Sequence, residues 1–146
     1  QYSTTTKVAP GTKFRIKVQN NVECYTYVFA QETDGSTYNI FPYTKKHSPY
    51  CGITGVRTFP KDKFFEPDNV GNKDYFAILV SSKPLDFLEI NQKLSSARGS
   101  TYADKFKEVF GSQLSKDLLF NSENKVSFST TFKDQSLAFV VIEVNK

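Results

Sequence analysis

The sequence predicts a mainly β fold, with α+β as the neighbouring possibility: an antiparallel β-sandwich carrying a two-helix insertion before its last hairpin. Three observations point there. Residues 24–30 and 75–81 are apolar on both faces, as suits strands covered from both sides. Between residues 84 and 111 the apolar period lengthens from two to about three and a half. After residue 125 it returns to two.

Taken in order, residues 1–10 are rich in Thr and Ser and read as an amino-terminal tail or linker, leaving residues 11–146 as a single β-rich domain. Residues 12–18 alternate, with Phe14, Ile16 and Val18 on one face and Lys13, Arg15 and Lys17 on the other. Asn20 and Asn21 turn the chain into a central strand at 22–31, and Asp34-Gly35 turns it again into 36–41, so three consecutive antiparallel strands are expected. Pro42 ends the third. Residues 43–54 have loop composition, 56–59 form a short strand stopped by Pro60, and 61–74 are polar and broken by Pro67 and Gly71 before the second apolar strand at 75–81.

The helical segment is expected over about 86–119. Asp86 is placed to cap a helix with Phe87, Ile90, Leu94 and Ala97 on one stripe, stopped by Gly99. Ser100 or Thr101 caps a second, with Tyr102, Phe106, Val109 and Phe110 on a face and Gly111 at its end. A short turn is expected within 113–119. Residues 125–132 and 137–144, joined by a turn at 133–136, read as the closing hairpin.

Composition excludes several classes of function. A chain of 146 residues with 14 Phe and 8 Tyr folds around one core. No apolar run is long enough to span a bilayer, so no membrane insertion is expected. The net charge of +4 comes from scattered Lys, with only Arg15, Arg57 and Arg98 as guanidinium donors, which is a poor nucleic-acid signature. Methionine is absent, so Gln1 is expected to follow a processed segment, either a secretory signal or a preceding domain. Cys24 and Cys51 form an even pair that fits an exported protein with one disulfide, the alternative being two buried free thiols.

Catalytic sets are sparse. His47 and Cys51, four residues apart in a loop, are the available base and nucleophile for a thiol hydrolase, but Cys-His enzymes usually gather the two from distant segments. Cys24, Cys51 and His47 give at most three soft ligands for zinc, without a Cys-x-x-Cys pair. Asp68, Asn69, Asn72 and Asp74 gather oxygens around Gly71 but lack the order of a calcium loop, and residues 52–55 lack the ending of a phosphate loop. No metal or cofactor is expected. The aromatic residues Tyr38, Phe41, Tyr43 and Tyr50 are the candidates for a binding surface, since Tyr joins an apolar ring to a polar tip; equally, large rings plug the ends of sandwich cores.

The order of Cys24-Tyr25-Thr26-Tyr27-Val28-Phe29, Asp34-Gly35, Ile40-Phe41-Pro42, Phe59-Pro60 and Ser82-Lys83-Pro84-Leu85-Asp86 resembles a bacterial domain-of-unknown-function family, number 4384. Its members are similar in having a Gly-Tyr-Leu-Tyr-Val-Phe strand, an Asp-Gly hairpin, a Phe-Pro strand end, an Ile-Pro step and a Ser-Arg-Pro-Leu turn. The resemblance spans roughly residues 12–86, and Cys24 stands where the family has a small Gly. It implies an extracytoplasmic or cell-envelope accessory domain, often joined to peptidase or kinase partners, and it supplies no catalytic residues. The expectation is therefore a non-enzymatic module, periplasmic, surface-bound or secreted, that binds a protein or envelope component through aromatic loops. The rival expectations are the thiol hydrolase and a polysaccharide-binding module.

Overall fold

In the computed structural model, residues 1–120, 128, 129, 132 and 136–146 are described. The chain runs β1 (Tyr2–Ser3), β2 (Ile16–Asn20), β3 (Cys24–Gln31), β4 (Thr37–Phe41), β5 (Tyr50–Cys51), β6 (Gly55–Phe59), β7 (Lys73–Ser81), α1 (Phe87–Ser96), α2 (Tyr102–Phe110), a 3-10 turn (Gly111–Gln113), β8 (Leu119–Phe120), β9 (Phe128–Ser129) and β10 (Leu137–Asn145).

The two strongly apolar stretches lie side by side. β3 and β7 pair antiparallel with Val28 opposite Ile78, and β10 pairs antiparallel with the other edge of β7, placing Val140 opposite Ile78. The sheet order is β1-β10-β7-β3-β4, with β5 beside the first residues of β3, beyond the end of β4. Within the first ten residues, β1 adds in parallel to β10.

Both faces of this sheet are covered, and each by a different kind of layer. Tyr27, Phe29, Ala77, Leu79 and Val141 meet Phe87, Ile90 and Leu94 of α1 and Tyr102, Phe106 and Phe110 of α2. On the opposite face Val28, Ala30, Phe76, Ile78 and Val140 meet Phe59, Ile16, Val18, Phe14 and Phe65. The protein is thus mainly β, with a sandwich-like pairing of sheet against ribbon and two helices on the far side.

The ribbon is where the expected strand order changes. Among the described residues β2 pairs with β6, Ile16 opposite Phe59, and not with β3; the three consecutive strands predicted from spacing are therefore two, β3 and β4, with β2 in another layer. The alternation of β2 explains this. With one apolar and one charged face it suits a covering layer, and the edges of β3 are already taken by β7 and β4. Between β3 and β4, Gly35 at φ 85° makes the predicted turn, braced by the Ser36 amide donating to Asp34 Oδ1 at 2.9 Å.

The helices begin and end as their chemistry dictates. Asp86 Oδ1 accepts from Leu88 N at 2.9 Å and Glu89 N at 3.2 Å, while Glu89 itself turns outward to Lys93 at 2.6 Å. Thr101 Oγ1 accepts from Asp104 N at 3.1 Å, and Gly111 at φ 47° ends α2. The short turn expected at 113–119 occurs earlier, at Gly111–Gln113.

The expected closing hairpin falls largely outside the described residues. Most of 125–132 and of the turn at 133–136 lies outside the described residues; the described part, β9, pairs with β8, and β10 pairs with β7 and β1. Along β10, Leu137, Ala138, Val140, Val141 and Val144 are all buried, the pattern of an interior strand. No helix among the described residues is long and apolar enough to cross a membrane.

Candidate functional site

The loop between β4 and β6 is held against the sheet by one arginine and two aromatic contacts. Arg57 is half-buried on β6, two residues before Phe59 and so on the same strand face. It stands over the Phe41 ring at 5.2 Å and donates to Ser48 O at 3.1 Å and to Tyr50 O. A rigid fork of donors suits this bridging of two loop carbonyls. Phe41 is only 5 % exposed, wedged against Phe59 at 4.8 Å, and it supports Tyr43 edge-on at 5.4 Å.

Above this support the rings are presented outward. Tyr43 is 38 % exposed, its hydroxyl accepts from Lys61 N at 2.9 Å, and His47 packs edge-on against it at 5.2 Å. Tyr50 is 41 % exposed and rests edge-on against Tyr25 at 5.7 Å; the neighbouring Glu23 carboxylate raises its phenol above the ordinary value. Lys45, Lys46 and Lys61 are exposed around Tyr43, which makes the surface cationic as well as aromatic.

Of the four aromatic candidates, then, the structure puts Tyr43 and Tyr50 on one loop, with Phe41 of β4 beneath Tyr43 and Tyr25 behind Tyr50. Tyr38 is exposed in a different hollow, lined also by Phe14, Glu32, Phe65, Asp68 and Asp74. Arg57 is the residue that sequence reasoning passed over. Its signal was its position, a charged side chain on the same strand face as Phe59.

The two cysteines are free and buried, directly opposite one another in the β3–β5 register. Thr26 Oγ1 lies between them, 3.4 Å from Cys51 Sγ and 3.8 Å from Cys24 Sγ. The hydrogen bond from Cys24 lowers the Cys51 thiol below its ordinary value, aided by Thr26 and Arg57, and the same bond together with burial pushes Cys24 up. Of the two expectations, a disulfide or two buried free thiols, the structure has the free thiols, with Thr26 Oγ1 within reach of both sulfurs.

His47 keeps other company. Its Nδ1 is 3.0 Å from Thr44 Oγ1, and among the described residues no hydrogen bond joins its ring to either sulfur. The carboxylates of the 68–74 loop are also engaged, because Lys146 Nζ sits 2.7 Å from Asp68 Oδ1, 2.8 Å from Asp74 Oδ1 and 2.6 Å from Val70 O. Among the described residues no group of three or more His, Cys, Asp or Glu is placed to hold a metal ion. A further hollow of about 560 Å³ lies between α2 and β10; its charged lining residues, Asp104 and Lys107, pair with each other at 3.2 Å.

The fold and this loop define a mainly β domain that displays supported tyrosines among lysines. The chain belongs to the family described as Domain of unknown function (DUF4384), whose model matches residues 7–84, from the approach to β2 through β7. No curated protein matches it, and no solved structure does.

Proposed function

We propose that this domain is a non-enzymatic binding module of the cell envelope, exported from the cytoplasm, which recognises a protein or envelope component through the loop of residues 43–52. The observation that carries this reading is the pair of tyrosines, Tyr43 and Tyr50, left well exposed yet each braced from behind by another aromatic ring. Ordering a ring before contact lowers the entropy lost on binding, and tyrosine combines a large apolar area with a polar tip. The cationic surround of Lys45, Lys46 and Lys61 would favour a partner carrying negative charge. In an oxidising compartment the facing cysteines would be joined.

Binding to immobilised cell-envelope extract tests the reading. The variants Tyr43→Ala and Tyr50→Ala, whose rings lie outside the cores, are expected to lose about tenfold or more in retention, the scale of an aromatic hot spot. Equal retention of every bound component by wild type and the double variant overturns it.

A further inference from the structure

The facing thiols bear on how the recognition loop is held. β5 is two residues long and attached to β3 by the pairings Cys24–Cys51 and Tyr25–Tyr50, followed by the Thr26 amide donating to Pro49 O at 2.9 Å. So short a strand opens locally at small cost, and opening exposes two cysteines that are otherwise only 2 % and 4 % exposed. Directly opposed residues on antiparallel strands have Cα atoms about 4.5–5.5 Å apart. That falls inside the span a disulfide bridges, about 4.4–6.8 Å, so a bond here demands no exchange of strand partners.

We propose that Cys24 and Cys51 are a thiol–disulfide exchange site for low-molecular-weight disulfides, and that the bond they form fastens β5 and with it the 43–52 loop. The inference rests on the reading of that loop as the recognition surface. Cys51 reacts first, because it lies on the two-residue strand that opens, whereas Cys24 stays on β3, which is held along its length by β7. The Cys51 thiolate attacks one sulfur of the small disulfide, a protein–small-thiol disulfide forms, and the other half leaves as a thiolate that takes up a proton. Cys24 then gives up its proton and attacks the Cys51 sulfur. The second small thiol leaves, so two electrons and two protons pass from the protein to the small disulfide, which is reduced to two thiols.

The test uses the whole chain in glutathione buffers of graded redox ratio, read by intact mass and by amide exchange. Excess glutathione disulfide is expected to remove two hydrogens from the wild-type mass and to slow exchange within residues 43–52 by about tenfold or more. In Cys24→Ser the reaction is expected to stop with one glutathione on the protein, and in Cys51→Ser to leave Cys24 largely unmodified. A wild-type mass that never loses two hydrogens overturns the proposal, as does a bonded form whose 43–52 exchange is unchanged; glutathione accumulating on Cys24 in preference to Cys51 overturns the order of steps. The comparison of oxidised with reduced wild type involves no partner and no variant fold. Failure of the tyrosine variants to lose envelope components is therefore a separate result, and it removes the recognition reading while leaving the exchange data intact.

Discussion

Tyr27 shows how a single side chain can serve core and connection together. Its ring is fully buried between β7 and α1, yet its hydroxyl accepts from Leu85 N at 2.7 Å and lies 3.3 Å from Leu85 O, tying the end of the β7–α1 connection to the central strand. Tyr27→Phe keeps the ring and removes the partner of that amide. It is expected to cost about 1–3 kcal/mol, the penalty for stranding a poorly solvated donor, seen as a lower urea midpoint at unchanged slope. Arg57 is the counterpart at the loop. Arg57→Ala is expected to speed amide exchange across residues 48–51 several-fold, because both bridged carbonyls lose their donor. At this scale the sequence was partly legible: the aromatic candidates were found, but burial of Phe41 under Tyr43 depends on Phe59 and Arg57, which come from a different strand.

At the scale of elements, local chemistry predicted the helices closely. The Asp86 and Thr101 caps and the Gly111 terminator act through bonds within one turn, and the sequence contains all the parties to them. Asp86→Ala is expected to destabilise the protein by about 1 kcal/mol, measured by thermal or chemical unfolding, since two amides of the first turn lose their acceptor. Strands were legible as strands and illegible as partners. Alternation in β2 marks one wet face, but pairing with β6 rather than β3 is decided by which layer has an uncovered apolar face to offer, and that is a property of the assembled sheet.

The whole molecule depends on segments outside the family match. The stretch 7–84 ends before α1, yet β10 runs along nine residues of β7 and the helices cover Tyr27, Phe29, Ala77 and Leu79. A fragment ending at residue 84 is expected to lack a cooperative unfolding transition, because that face and the β7 edge would stand open to water. Within the full chain, Phe106 packs against Phe29, Tyr102, Phe110 and Phe139, and Phe106→Ala is expected to cost about 3–5 kcal/mol in a denaturant titration.

The end of β10 is tied to the loop before β7 by charge. Lys146 holds the Asp68 carboxyl below the ordinary carboxylate value, so the unfolded chain takes up a proton there at higher pH than the folded one. That contribution is complete above the unfolded value and disappears as pH falls through the lowered folded value. Lys146→Gln is accordingly expected to flatten the loss of stability on acidification, read from unfolding midpoints across the acid range.

From the sequence alone came the mainly β class, the two central strands, both helices with their caps, and the family resemblance, because each rests on periodicity or on bonds between near neighbours. Only the tertiary structure decided that β2 joins β6 in a second layer, that β10 lies inside the sheet, and that Cys24 faces Cys51 behind a loop steadied by Arg57. Those facts depend on which surfaces are left uncovered once distant segments have met, and residue order does not state that locally.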